Sequence, residues 1–203
     1  MILSDGDIRK RIEAGSIKIG CADKEYLNNI GPSSLDLRCG SHFKVYEHTQ
    51  FAMLDPADPR TFENCSRMLE VTDPAKPFLV QPGDFILGVT MECITLPNDL
   101  VARVEGRSSL GRLGIIVHST AGFVDPGFSG TITLEITNIN RLPVALYPGM
   151  RVCQLAFETL TNPAEVDYSM KKTQKYQGQV FPEESRICKD PEMIAIQKLR
   201  NEA

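Results

Sequence analysis

Gly130-Thr131-Ile132-Thr133-Leu134-Glu135-Ile136-Thr137-Asn138 (GTITLEITN, residues 130–138) alternates polar and apolar side chains through its centre. A period of two belongs to a β-strand, in which successive side chains point to opposite faces. Thr131, Thr133 and Glu135 therefore share one face, and Ile132, Leu134 and Ile136 the other. The apolar face is core. The polar face carries a carboxylate in mid-strand, a place where carboxylates are uncommon unless the face is solvated or functional. The pattern alone leaves both readings of Glu135 open, and partial burial would suit it to moving protons near neutral pH.

Outward from this strand the same signature repeats. Residues 33–46, 77–96, 100–106, 114–124 and 142–160 are short apolar runs rich in β-branched residues, punctuated by Gly, Pro, Asn and Asp. Helical periodicity is confined to the two ends. Ser4 can cap a helix running to Gly15, with Asp7 in capping-box position and Ile8 and Ile12 on one face. Near the other end Asp190 can cap, Pro191 takes the first helical position, and MIAIQKLR follows. The expected fold is mainly β, a distorted β-barrel or jelly roll with a short N-terminal and a C-terminal helix. One domain spans residues 1–203; residues 55–76 are a polar excursion within it, and about 168–203 form a tail or lid plus helix.

Length and composition suit one globular domain, and no apolar run approaches the ~18 residues of a membrane span. The N-terminus lacks the pattern of a signal peptide, so the cytoplasm is expected. A net charge of −4 argues against a general nucleic-acid binder, though not against a small anionic ligand met by local cations. The six cysteines show no C-x-x-C spacing and read as reduced, mostly buried or half-buried thiols.

Two segments carry the densest chemistry. Gly106-Arg107-Ser108-Ser109-Leu110-Gly111-Arg112 combines hydroxyls, guanidiniums and glycine-exposed amides, a mixture that suits phosphate oxygens as well as a plain polar turn. Its G-x-x-x-x-G spacing imitates a P-loop, but Arg112-Leu113 stands where Lys-[Ser/Thr] is required. Residues 118–130 (HSTAGFVDPGFSG) hold an Asp-Pro-Gly turn signal between two β-like runs, read as a hairpin. Phe123 there can meet a flat base and Asp125 a sugar hydroxyl. His118 reads as structural rather than catalytic, since no Ser–His–acid order is present.

In order along the chain, MILSDGDI, PSSLDLRCG, QPGDFILGVTMECITLPNDLV, GRSSLGRLGIIVHSTAGFVDPGFSGTITLEITN, LYPGMRVCQLAFETL and KYQGQ resemble the dCTP deaminase family of the dUTPase superfamily. The resemblance covers most of the chain. It implies a homotrimer of dUTPase-like barrels whose sites are shared between neighbouring copies. Arg107, Ser108, Ser109, Leu110, Gly111 and Arg112 would approach the triphosphate and the catalytic centre. Ser108, Arg112 and Glu135 would form the deaminating set, with the Ala121 carbonyl helping to hold the water. Asp125 would contact the deoxyribose, Thr133 and Leu134 would lie beside the base, and Gln154, Tyr168, Lys175 and Gln179 would complete the ligand contacts. The ligands implied are dCTP, with dUTP and dTTP beside it, and Mg²⁺ accompanying the triphosphate as a charge neutraliser. Zinc deaminases carry H-x-E with P-C-x-x-C, and neither half occurs here, so no zinc is expected.

The family includes enzymes that stop at dUTP and enzymes that continue to dUMP and pyrophosphate. After Ala121 this chain has Gly122-Phe123, similar to the bifunctional members, where deaminase-only members have His-Arg. The missing Arg and added Gly are expected to enlarge and loosen the base pocket. The alternatives are a deaminase that releases dUTP, a plain dUTPase, and a silent nucleotide-binding regulator.

Overall fold

The computed structural model describes residues 1–21, 23–47, 52–118, 120 and 122–202. Helix α1 (Asp5–Glu13) opens the chain; the Ser4 hydroxyl caps it by accepting from the Asp7 N–H at 3.3 Å, and Ile8 is its buried residue. Strands β1 (Lys18–Gly20), β2 (Leu35–Arg38) and β3 (His42–Tyr46) follow. After the polar excursion come β4 (Ser66–Glu70), β5 (Phe78–Val80), β6 (Phe85–Thr95) and β7 (Leu100–Gly106). A single helical turn, α2 (Ser108–Gly111), precedes β8 (Ile115–Ile116), β9 (Phe123–Val124) and β10 (Ser129–Asn138). Then β11 (Val144–Leu146), β12 (Arg151–Thr159) and helix α3 (Pro191–Glu202) complete the chain.

The expected mainly-β architecture and both end helices are present, but the described strands do not close into a barrel. They form a sheet ordered β4-β3-β6-β10-β8 with β1 also on β6, a second ordered β2-β12-β7-β9, and a separate β11-β5 ribbon. One apolar cluster draws on all three, including Leu35, Leu37, Leu155 and Phe157 from one sheet, Ile86, Ile94, Leu134 and Ile136 from another, and Leu146 from the ribbon. The sheets are therefore joined by side-chain burial rather than by a continuous hydrogen-bond ladder.

The Asp-Pro-Gly segment is a turn but not a hairpin. Phe128 N–H donates to Asp125 O at 3.1 Å, and Gly127 sits at φ +78° in the third position of the turn, as a type II turn requires. The strands it joins enter different sheets: β9 pairs with β7, whereas β10 pairs with β6 and β8. The turn is thus a crossing between sheets, and it puts Phe123 and Asp125 at the edge of the polar face of β10.

A register shift in the β6–β10 pairing re-aims the side chains of β6. The Thr90 hydroxyl accepts from Ile132 N–H at 2.9 Å in place of a main-chain partner and donates to Glu92 O at 2.8 Å. Glu92, fully buried, faces Arg38, taking its Nε at 2.7 Å and its N–H at 2.8 Å. Asp23 and Glu25 bind the same guanidinium from the outside. All six cysteines are free thiols, three buried and three half-buried, and burial pushes the Cys39 thiol up to about 12.

The excursion at 55–76 delivers β4 to the free edge of β3, from His42↔Glu70 to Tyr46↔Ser66. The tail is irregular between β12 and α3 apart from a short 3₁₀ turn at Ile187–Lys189, and it is bonded to the body at many points. Asp190 does not spend its carboxylate on capping α3; both oxygens accept from Lys175 Nζ, at 2.9 and 3.0 Å.

Candidate active site

The polar face of β10 opens into a cleft of about 470 Å³, walled by β3, β6, β9 and the tail. Thr133 and Glu135 come from β10, Asp125 and Phe123 from the crossing turn, and Tyr168, Lys175, Tyr176 and Gln179 from the tail. Tyr46, Phe85 and Leu87 add an aromatic and aliphatic side, and His118 closes the rim. A cleft with apolar walls and a few convergent polar groups is the form expected of a small-molecule site.

Glu135 is half-buried, between the solvated and functional readings that its alternation left open. Its Oε2 accepts from the Thr120 hydroxyl at 3.1 Å, which orients the carboxylate. Tyr46 lies close by. Burial, with the Cys65, Glu184 and Glu135 groups adding to it, pushes its phenol up to about 12, so it stays a protonated donor at neutral pH.

Gln179, which lines the cleft, is tied to β10 and carries an unmatched buried acceptor. It is 8% exposed, and its Nε2 donates to Thr131 O at 2.6 Å while its main-chain O accepts from Thr131 N–H at 3.0 Å. Its Oε1 has no donor among the described residues. A buried acceptor left unmatched costs about 1–3 kcal/mol, and a ligand N–H or O–H would meet it. Tyr168 acts on the tail as much as on the cleft: its hydroxyl accepts from the N–H groups of Lys175 and Tyr176 at 3.2 and 3.1 Å, and its ring packs edge-on against Phe128.

The phosphate-type segment stands elsewhere. None of Arg107, Ser108, Ser109, Leu110, Gly111, Arg112 or Gln154 lines the cleft of its own chain. Arg107 bonds Asp36 at 3.2 Å and the Arg151 carbonyl at 3.1 Å, while Ser108, Ser109, Gly111 and Arg112 are exposed at the end of β7. Gln154 accepts from the Ser34 hydroxyl at 3.3 Å. Leu110 and Leu134 turn their side chains into the core, so only their main-chain atoms can meet a ligand. Ala121 lies outside the described residues.

Gly122 lies close against β7. Its carbonyl accepts from Val104 N–H at 2.7 Å, and a Cβ built on it would stand 3.1 Å from Val104 O. The glycine permits close approach to β7 rather than freedom, while Phe123 beside it is 67% exposed and lines the cleft.

The chain matches a family model described as dCTP deaminase-like over residues 2–160. It belongs to the dCTP deaminase-like family. Two relatives named "dCTP deaminase, dUMP-forming" share 52% identity with it: one from Dictyoglomus thermophilum, over 95% of this chain and all of that one, and one from Methanothermobacter thermautotrophicus, over 95% and 96%. A relative from Thermomicrobium roseum named "dCTP deaminase" is 46% identical over 98% of this chain and 99% of its own. Among solved structures, 2'-deoxycytidine 5'-triphosphate deaminase from Agrobacterium tumefaciens is similar with TM-score 0.61 at 24% identity, over 78% of this chain and 48% of that one. At that identity the likeness speaks for the fold, and this chain spans about half of the larger one.

Tyr46, Phe85, Thr120, Tyr176 and Glu183 were not singled out by their sequence context. Tyr46 had a signal, because His42, Lys44 and Tyr46 alternate with Phe43 and Val45 as Thr133 and Glu135 do with their neighbours. Glu183 and Tyr176 lie in irregular chain, where no period reports which side faces inward. His118, read as structural, lines the cleft.

Proposed function

We propose that this protein hydrolyses dCTP at cytosine C4 and carries the product on to dUMP, releasing ammonia and pyrophosphate. The observation that carries the reading is the half-buried Glu135, oriented by Thr120, in a cleft with aromatic walls and an unmatched buried acceptor. The dUMP-forming names of the full-length relatives support the same activity.

In the first reaction Glu135 takes a proton from water, whose oxygen attacks C4, and N3 of the ring is protonated. Glu135 passes that first proton to N3 and then moves the proton of the new C4 hydroxyl to the exocyclic nitrogen, so ammonia leaves and the carbonyl of dUTP remains. General acid–base help of this kind is worth about 10²–10⁴-fold, and fixed donors around the tetrahedral centre add to it. Ser108 and Arg112 are the donors in this reading. They do not line the cleft of their own chain, which supports a reading in which a neighbouring copy supplies them within the homotrimer that the family resemblance implies. Arg107, Ser109 and the Leu110–Gly111 main chain meet the triphosphate alongside Gln154 and Lys175; Asp125 meets the deoxyribose, and Thr133 and Leu134 the base. In the second reaction Asp125 orients a water in line with the α-phosphorus, and pyrophosphate departs. Mg²⁺ would accompany the triphosphate and neutralise part of its charge. No helix of the described residues is long and apolar enough to cross a membrane.

The relative named simply dCTP deaminase favours a second reading, in which dUTP is released. A time course with dCTP and Mg²⁺, resolving ammonia, dUTP, dUMP and pyrophosphate, separates the two. Appearance of dUMP and pyrophosphate with little free dUTP is the expected result. Accumulation of dUTP selects the second reading, and absence of ammonia refutes both.

A further inference from the structure

We infer that Glu184 is a positioning residue for this cleft: its carboxylate clamps the tail onto the β3–β4 hairpin and so sets the wall formed by Tyr176, Gln179 and Glu183. The kinetic consequence rests on the function proposed above; the clamp itself does not. Glu184 accepts from Lys44 Nζ on β3 and from the Ser66 hydroxyl on β4. Its neighbours Glu183 and Ser185 line the cleft while Glu184 does not, so its carboxylate is spent on holding the segment rather than on contacting a ligand. The Phe181 ring packs edge-on against His42, on the same face of β3 as Lys44, at 4.7 Å, and Pro182 is buried. A second tie, Arg200 to Asp55 at 2.7 Å, joins α3 to the same excursion. Residues 55–76 and the tail, the two stretches whose polar composition shows no core role, thus hold one another.

Exposure separates this pair from an ordinary surface bridge. The Lys44 and Glu184 side chains are 17% and 28% exposed, against 58% and 46% for Arg67 and Glu47 on the same hairpin. Exposed pairs contribute little, whereas breaking a desolvated one strands its partner. Burial raises the Glu184 carboxyl, but the bonds from Lys44 and Ser66 outweigh it and hold the group below its ordinary range. The family match ends at residue 160, so the clamp joins the matched body to chain beyond it.

The test is amide hydrogen exchange together with steady-state kinetics on the full-length protein. Gly178 N–H donates to Ser129 O at 2.7 Å and Thr131 N–H to Gln179 O at 3.0 Å, so their exchange reports separation of tail from body. In Glu184→Gln these amides should exchange about tenfold faster, the size expected for one charge-assisted bond, with the β6 core amides unchanged. The KM for dCTP should rise while kcat at saturation stays within about twofold. Glu47→Gln should do neither, and the exchanged pair Lys44→Glu with Glu184→Lys should recover part of the loss. Ser66→Ala, with a smaller shift of the same sign, keeps the test available if Glu184→Gln does not fold. Unchanged exchange at Gly178 and Thr131 overturns the clamp, and faster exchange with unchanged KM overturns its positioning role. If the wild type turns over no dCTP, the proposed function fails, and exchange alone then decides the clamp.

Discussion

Replacing Gly130 by Ala should be costly, because the added methyl would meet the main chain of the tail. Gly130 lies at φ +152°, and a Cβ there would stand 3.0 Å from Gln179 O, 3.2 Å from Gln179 N and 3.2 Å from Phe128 Cζ. Two of those three atoms are main chain and cannot swing aside. The conformational part costs about 1–2 kcal/mol and the crowding about 1–2 kcal/mol more, giving roughly 3 kcal/mol in all. Two glycines separate these parts: Gly178 at φ +76° and Gly15 at φ +69° have nothing within 4 Å of a built Cβ. Their alanine variants should show the conformational cost alone, about 1–2 kcal/mol. For a domain of this size about 2–4 °C of melting temperature goes with each kcal/mol, so Gly130→Ala should melt roughly 6–12 °C lower. Calorimetry at one fixed protein concentration reads this, because oligomerisation shifts apparent stability. The crowding is relieved only by moving Gln179 off β10, so the KM for dCTP should rise as well. A melting loss no larger than that of Gly178→Ala, with unchanged KM, would refute the reasoning.

Three further outcomes are expected. Glu135→Gln keeps an acceptor for Thr120 but no proton acceptor for water, so deamination should fall by at least ~10² with nucleotide binding retained; near-wild-type rates in a coupled ammonia assay would remove Glu135 from its role. Glu92→Gln leaves the buried Arg38 without its inner carboxylate and should cost about 3–5 kcal/mol by urea unfolding, with a loss below about 1 kcal/mol counting against the pair. For Asp23, the Arg38 hydrogen bond, and for Glu184, the Lys44 and Ser66 bonds acting against burial, hold both carboxyls below their ordinary 3.8 and 4.5. Their stabilisation is present above those values and lost as pH falls through the lower folded ones, so melting temperature should decline on acidification below about 4.5; a rise there would be the wrong sign.

The local rules read well from sequence because each depends on near neighbours alone. Ser4 caps α1, Asp125-Pro126-Gly127 turns, and the alternation in 130–138 sends Leu134 and Ile136 into the core and Thr133 and Glu135 into the cleft. The resemblance that 106–138 carries named the family before any coordinates. Other features depended on which segments meet. The turn at Asp125 does not form a hairpin, since strand partners are chosen by burial across the whole sheet and not by the turn between them. The barrel was an expectation about closure, and local alternation does not say which edges pair.

By itself, then, the sequence determined the mainly-β class, the end helices, the family and the residue types of the chemistry, because periodicity, capping and turn geometry act over a few residues. Only the tertiary structure decided that Glu135 shares a cleft with Asp125, Tyr168 and Lys175 while Ser108 and Arg112 stand outside it. It also decided that Glu184 reaches Lys44 and Ser66 across 140 and 118 residues of chain. Contacts at such separations are set by how three sheets and a tail bury one shared core, and no short-range pattern encodes that.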